Sequence, residues 1–411
     1  MLKYYFSGAG LCACLFLTPI VYGATAAPGL SNWVSEIIYE NPQVQAQQAA
    51  LETARAQARA AGRPLFNPAL ELDYQRAIDD AASVGISQTF DWSDKRGART
   101  SVAQFEVQAA VAGLALTRQQ LANELLSRLS AYHAASALER IAHSRVELMG
   151  RFVELSQRRR EAGDLGQIEL DLARLASAQA RFQYASAAAK RITEKQALAA
   201  VDGQFPTDLP VLPELPPAIE PDNIDKENLL AALPTMFAAR ARMDAARSQV
   251  QLQLRGKRPN PTLGFRVGKE ESSTLTGLTL SIPLFVRNTF SAEVDVANSQ
   301  LIQSQQEAVN IRRRGAAQID AAAQRYQLLR SSWLVWQAQG QASLDQQTSV
   351  LERLWRVGEL NTTDYLVQVK QTLDTQAGAV EQHGQMWQAW SGWLAASGQV
   401  EKWLNLAGEQ Q

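Results

Sequence analysis

The chain of 411 residues is almost without cysteine, and this shortage limits the kinds of site that it can build. Its only two cysteines, Cys12 and Cys14, lie within the first fourteen residues. A protein cleaved after Ala26 would therefore hold no disulfide and no thiolate ligand for a metal. The formal charge of −1 also gives no basic field, so we predict no nucleic-acid partner.

Long apolar runs are also missing beyond the N-terminal segment. No later stretch reaches the roughly 18 uninterrupted apolar residues of a membrane-spanning helix. Residues 1–26 have a lysine at position 3, an apolar run over Ala9–Val21 and small residues before Ala26, which is typical of a cleaved secretory signal. We predict export from the cytoplasm, so that any membrane-spanning part must consist of strands. The alternative, a lipid on Cys14, stays open.

Motifs for catalysis and for phosphate binding are absent from the sequence: it contains no phosphate loop, no nucleophile elbow and no zinc-protease motif. Glu139 and His143 stand four residues apart on a predicted helix and could share a metal, but no third ligand is apparent. We therefore predict that the chain is not an enzyme and has no cofactor and no metal site.

The chain does contain a pattern that occurs twice. Each copy has a helical segment, an Asn-Pro pair, two segments of period two, a long proline-free helical stretch, a glycine-containing break and a return helix. Asn67 and Asn260 lie 193 positions apart, and Gly163 and Gly358 lie 195 apart. We predict four units: a signal peptide at 1–26, a first repeat at 27–205, a proline-rich strap at 206–222 and a second repeat at 223–411.

The long helical stretches, about Ala98–Ala162 and Ser291–Arg356, set the predicted architecture. A helix of roughly 65 residues is about 100 Å long and needs helical partners along its length, as in a coiled coil. Four strands leave two open edges, whereas three copies of the chain would supply a closed barrel of twelve strands. The predicted fold is mainly α, with long antiparallel coiled-coil helices and four strands per chain. The simpler interpretation is a small soluble sheet under a helical body.

The phrases NPAL and NPTL, the sequence LSIPLF after the last strand and the Gly-Asp/Glu-Leu breaks resemble the TolC-like outer membrane efflux proteins over roughly Ser31–Gly398. The segment ISQTFDWSDKRGAR resembles the branch of the cobalt-zinc-cadmium exporters. The resemblance implies a homotrimer with a transmembrane β-barrel in outer-membrane lipid and a periplasmic α-helical tunnel. It also implies a periplasmic adaptor (membrane fusion) protein and an inner-membrane efflux pump of the resistance-nodulation-division type.

The resemblance assigns roles to three groups of residues. The expected adaptor-docking turns are Gly163, Asp164, Leu165, Gly358, Glu359 and Leu360. Asn67, Pro68, Asn260 and Pro261 are expected to mark where the chain becomes a membrane strand.

Asp364, and Glu169 at the equivalent place, are candidates for the pore aperture; the family's second acidic place holds Val367 and Leu172 here. The alternative role for Asp364 is that of an ordinary solvated acid on the first turn of a helix.

The predicted function is a passive outer-membrane conduit that exports metal cations or small toxic molecules. Two alternatives remain: a periplasmic coiled-coil adaptor or scaffold, and an outer-membrane channel for type I secretion. The sequence does not identify the cargo, the adaptor, the pump or the resting state of the aperture.

Overall fold

The computed structural model describes residues 26–76, 80–205, 208–220, 224–270 and 273–406. The predicted signal segment up to residue 25, with both cysteines, lies outside the described residues.

The described residues form ten α-helices: α1 (Pro28–Glu40), α2 (Pro42–Ala61), α3 (Lys95–Glu161), α4 (Gln167–Asp202), α5 (Lys226–Ala232), α6 (Pro234–Gly256), α7 (Ser291–Val335), α8 (Gln341–Arg356), α9 (Thr362–Ser397) and α10 (Val400–Trp403). The predicted bounds of the first long helix are confirmed to within a few residues. Proline stands at the first turn of α1, α2 and α6, where its missing N–H costs no hydrogen bond.

One antiparallel sheet contains four strands in the order β1 (Ala69–Gln75), β2 (Ala81–Thr89), β3 (Thr262–Glu270) and β4 (Ser273–Ser281). Both predicted hairpins are confirmed, and β2 pairs with β3 so that Thr89 lies opposite Thr262. Within the described residues, β1 and β4 are the edge strands of the sheet.

Helix α3 is the axis of the helical part. It has 67 residues, and it packs against α2, α4, α6 and α9. The side-chain amide of Asn41, which precedes α2, donates to the carbonyl of Val201 near the end of α4 at 3.2 Å. Helices α2 and α4 therefore meet end to end along α3.

The second long helix is not continuous, contrary to the prediction. A π-helical turn, Trp336–Gly340, separates α7 from α8. The indole of Trp336 fills the space beside Gly340, where an added Cβ would lie only 2.3 Å from the ring. We infer that the π-helical turn, which is wider than an α-helical turn, accommodates the indole ring beside Gly340. The sequence predicts that the second return helix continues to the C-terminus, but it ends at Ser397 because Gly398 adopts a left-handed conformation with φ 71°.

The strap runs without helix or strand over the described residues 208–220 and is held by its carbonyl groups. The hydroxyl of Tyr326 donates to the carbonyl of Pro217 at 2.7 Å, and the indole N–H of Trp387 donates to that of Pro213 at 3.1 Å. Burial raises the pKa of the Tyr326 hydroxyl. The tryptophans at 387, 390, 393 and 403 are buried in the same core.

Candidate functional site

The two turns that join the long helices, here called the tip turns, comprise residues 162–166 between α3 and α4 and residues 357–361 between α8 and α9. Gly163 (φ 85°) and Gly358 (φ 82°) adopt left-handed conformations that other residues disfavour. The N–H of Asp164 donates to the carbonyl of Arg159 at 2.8 Å, and that of Glu359 donates to Leu354 at 3.0 Å. These bonds close the helix ends. The predicted conformation of both glycines is confirmed.

Glu169 and Asp364 occupy the same place in the two turns. Each is the third residue of its helix, and each carboxylate satisfies a donor on the residue that caps the helix. Glu169 Oε2 accepts from the N–H of Gly166 at 2.8 Å. Asp364 Oδ2 accepts from Asn361 Nδ2 at 2.7 Å, while its own N–H donates to Asn361 Oδ1 at 2.8 Å. Both acids therefore have a capping role within a single chain.

A groove of about 240 Å³ lies beside the tip turns between α3, α4 and α9. Leu172 and Val367, which replace the family's second acidic residue, are among its apolar walls. Arg145 of α3 crosses its end, with its guanidinium 2.6 Å from Asp374 of α9 and in contact with Gln183 of α4. The position therefore carries an apolar contact surface in place of a charge.

An aromatic cluster under the tip turns was not predicted from the sequence. Phe152 of α3 packs on Trp355 of α8 and Tyr365 of α9, with ring centroids 4.6 Å and 5.3 Å away. The guanidinium of Arg159 lies 5.4 Å from the Trp355 ring centroid, over its face. Burial raises the pKa of Tyr365 to about 12. The cluster joins the two helical hairpins, and the only sequence signal was the aromatic pair flanking Gly358.

The four residues expected to mark the strand starts lie where the sequence placed them. Pro68 directly precedes β1, and Pro261 directly precedes β3. The carbonyl of Pro261 accepts from the N–H of Phe90 at 2.9 Å, so this proline also joins the β2–β3 ladder at its end. Proline suits such a position because it has no N–H to offer the ladder.

One face of the sheet, here called the apolar face, carries exposed large apolar side chains. The strand registers place these residues together: Leu70, Leu72, Tyr74, Val84, Ile86, Leu263, Phe265, Leu278 and Leu280. Leu70 is 72% exposed and Leu278 is 79% exposed. A contiguous apolar surface of this kind indicates a membrane or protein contact.

The opposite face, here called the polar face, consists mainly of small and polar residues. Its members are Glu71, Asp73, Ser83, Gly85, Ser87, Gly264, Arg266, Gly268, Gly277 and Thr279, with Leu275 as an apolar exception. Ser87 Oγ donates to Glu71 Oε1 at 2.5 Å. The sheet is therefore divided into an apolar face and a face of mainly small and polar residues.

The helical part also exposes apolar side chains at regular intervals. On α4, Ile168, Leu175 and Phe182 follow each other at seven-residue spacing, and all are more than 60% exposed. On α7, Leu328 and Val335 show the same spacing. A seven-residue apolar repeat is the pattern by which helices pair in coiled coils, and these exposed stripes lack a partner within the part of the chain that the structure describes.

Acidic residues gather where α1 ends and α4 ends. Burial raises the pKa of Asp202, and the nearby charges of Glu36 and Glu40 raise it further.

Glu139 lies 2.5 Å from Arg191, and His143 lies 3.7 Å from Glu147, so neither faces the other as a metal-binding pair. The described ranges contain no group of three or more potential metal-ligating side chains.

Comparison with known proteins gives consistent matches. Residues 33–204 match the family model described as Outer membrane efflux protein. The chain is 24% identical over 236 residues to the cobalt-zinc-cadmium resistance protein CzcC of Cupriavidus metallidurans, a match that covers 55% of this chain and 56% of that protein. The aligned part thus spans little more than half of this relative.

Solved structures match over a larger share of the chain. A membrane protein from Pseudomonas aeruginosa has a TM-score of 0.77 at 17% identity and covers 91% of this chain and 94% of its own. The Campylobacter jejuni CmeC outer membrane channel has a TM-score of 0.75 at 13% identity, with 97% and 94% covered. These likenesses establish the shared fold. Among the described residues, no helix has the length and apolarity that crossing a membrane requires.

Proposed function

We propose that this chain is a member of the TolC-like outer membrane efflux family and the outer-membrane channel subunit of a tripartite efflux system. The observation that carries the proposal is the four-stranded sheet, which has one exposed apolar face, one polar face and two open edges at the end of a long helical body. Such a sheet suits lipid on one side and water on the other.

The barrel follows from the edges of the sheet. Strands cannot leave unpaired backbone groups in lipid, so β4 of one copy must pair with β1 of the next. Three copies give twelve strands, whereas two give eight, a number whose interior is filled by side chains. A conduit therefore favours the homotrimer, located in the outer membrane with its helical part in the periplasm.

The helical tunnel follows from the unpartnered stripes. The exposed residues of α4 and α7 at seven-residue spacing would pack between neighbouring copies and close a cylinder below the barrel. The tandem organisation, with repeats at 27–205 and 223–411 joined by the strap at 206–222, supplies matching helical hairpins around that cylinder.

The tip turns would form the far end of the tunnel and dock onto a periplasmic adaptor that leads to an inner-membrane pump. Their exposed residues Asp164 and Glu359 project beyond the aromatic cluster that fixes the hairpins. By likeness to the cobalt-zinc-cadmium resistance protein, the cargo is metal cations or small toxic molecules. The chain would act as a passive conduit without catalysis.

Asp364 is proposed as the aperture residue. A threefold axis would bring three copies of its exposed carboxylate together, and a ring of carboxylates attracts cations. Its contact with Asn361 would fix the direction of the carboxylate. Glu169 holds the equivalent place in the first repeat, where it caps Gly166.

Fractionation of cells that express the chain tests the channel proposal. We expect the protein in the outer-membrane fraction, extractable only with detergent and trimeric on chemical crosslinking. Recovery as a soluble periplasmic protein would instead support an adaptor or scaffold. Loss of secretion of a protein substrate on deletion, without loss of metal or drug resistance, would instead support type I secretion.

Insertions at the tip turns test adaptor docking. A bulky insertion after Asp164 or Glu359 is expected to abolish export while leaving trimers intact, because it lengthens the turn without disturbing the helices. The same insertion after Arg76, in the β1–β2 loop, is the matched control and should preserve export. Normal export from both tip insertions would exclude docking through these turns.

A further inference from the structure

The polar face of the sheet carries one arginine in a setting of glycines. Arg266 of β3 lies opposite Gly85 of β2 and Gly277 of β4. A Cβ added to Gly277 would lie 3.0 Å from Arg266 Nε and 3.2 Å from its Cγ, whereas a Cβ on Gly85 would approach only the base of the side chain, with Arg266 Cβ at 3.1 Å. The arginine side chain therefore extends over Gly277 towards the open edge of β4.

The carboxylates on this face lie mainly on the other edge strand. Glu71 and Asp73 belong to β1, and Glu270 stands at the far end of β3, four residues from Arg266. Glu71 accepts from Ser87 within the chain. Among the ion pairs of the described residues, none involves Arg266 or Asp73. On the polar face, two carboxylates thus lie at the β1 edge, while the Arg266 side chain extends from the inner strand β3 towards the β4 edge.

The internal repeat relates these two residues. Asp73 and Arg266 are 193 positions apart, the same offset as Asn67 and Asn260, so they hold equivalent places in β1 and β3. Around a closed barrel, strands with an acid at this place would alternate with strands that carry an arginine there. Every second strand, β2 or β4, has a glycine opposite Arg266.

We propose that Arg266 of one copy forms an ion pair with Asp73 of the neighbouring copy, across Gly277 on the lumen side of the barrel. This pairing rests on the proposed function, because it requires β4 to meet β1 of another copy. If the β2–β3 register is repeated at that junction, Thr279 faces Asp73 of the neighbouring copy, one diagonal step from Gly277. Two strand spacings are about 10 Å, and the arginine already spans the first of them.

The ion pair would select the correct closure of the barrel. Joining β4 to β4 would bring arginines together, and joining β1 to β1 would bring the carboxylates of Glu71 and Asp73 together. Like charges on adjacent strands destabilise a sheet, so only the β4–β1 junction is favoured. The pair also neutralises three arginines that would otherwise repel cations inside a conduit.

The test is a charge-reversal cycle on the full chain, read as the temperature at which detergent-extracted oligomers dissociate in SDS. We expect Arg266→Asp and Asp73→Arg each to lower this temperature by several degrees, and the double variant to recover most of the loss. The matched control combines Arg266→Asp with Glu270→Arg, a reversal four residues along the same strand, and should recover nothing. If the reversed variants do not assemble, the milder cycle of Arg266→Gln and Asp73→Asn should show non-additive losses.

The possible outcomes distinguish failure of the proposed ion pair from failure of the proposed channel function. Additive losses in a detergent-extracted oligomer, or recovery through Glu270→Arg, would overturn the Arg266–Asp73 pair and leave the channel proposal standing. A wild-type chain that fractionates as a soluble monomer would overturn both.

Discussion

Two glycines of the tip turns have left-handed backbones, whereas Gly150 of α3 does not, so the same substitution by alanine should have opposite effects at the two kinds of position. Gly163→Ala and Gly358→Ala place a Cβ on a backbone with φ 85° or 82°. A Cβ at Gly163 would meet nothing within 4 Å, and one at Gly358 would reach only Arg159 Nη2 at 3.7 Å. Steric contact with neighbours is therefore minor, so any cost comes from the backbone itself.

The magnitude follows from two opposing effects. A left-handed conformation costs an L-residue about 1–2 kcal/mol. Alanine also lowers the conformational entropy of the unfolded chain relative to glycine, and this stabilises the folded state by about 0.4–1 kcal/mol. The net loss is on the order of 1 kcal/mol, or roughly a fivefold shift in the opening equilibrium of the turn, since 1.4 kcal/mol corresponds to tenfold.

Gly150→Ala is the matched control. Gly150 lies inside α3 with a regular backbone and nothing within 4 Å of an added Cβ. The same substitution there should stabilise the helix by about 0.5–1 kcal/mol. The three variants share one chemical change and differ in the sign of φ.

Hydrogen exchange followed by mass spectrometry on the detergent-extracted protein measures the effect locally. The amides of Asp164 and Glu359 donate to carbonyls in the preceding helices, so they report opening of each turn. We expect their exchange to become about fivefold faster in the tip variants, since exchange follows the opening equilibrium, and the Gly150 variant to leave it unchanged. Unchanged or slower exchange in both tip variants would refute the argument from φ.

Three other predictions concern the aromatic cluster, the acidic helix end and the aperture. Phe152→Ala should destabilise the tip by about 3–5 kcal/mol, because it removes the ring that packs on Tyr365, and limited proteolysis should then cut near the tips. Asp202→Asn should raise the thermal midpoint at neutral pH. The folded pKa of Asp202 is raised, so its contribution to stability falls as the pH rises above its ordinary value of 3.8, and the benefit should vanish below that pH. Asp364→Ala should change cation block in planar bilayers, because it removes the carboxylate proposed for the aperture, and unchanged block would exclude Asp364 from the aperture.

Local features of the candidate site could be predicted from the sequence. Gly163 and Gly358 predicted the tip turns, because glycine adopts the left-handed backbone conformation that such turns need, whatever the tertiary contacts. Pro68 and Pro261 predicted where two strands begin, because the constraints that proline places on the backbone are also local. The aromatic cluster could not be predicted, because Phe152 lies about two hundred positions from Trp355 and Tyr365 and no local pattern links them. The docking and aperture roles stay predictions, since they depend on contacts with other chains.

The sequence by itself determined the order of the long helices and strands and most of their bounds, because periodicity, proline and glycine act within a few residues. It also determined that the sheet has an apolar and a polar face, since side chains alternate along a strand. Only the tertiary structure decided that β2 pairs with β3, that the Trp336 ring beside Gly340 accompanies a π-turn, and that Arg266 extends over Gly277. Each of these features depends on contacts between residues that are brought together only when the chain is packed.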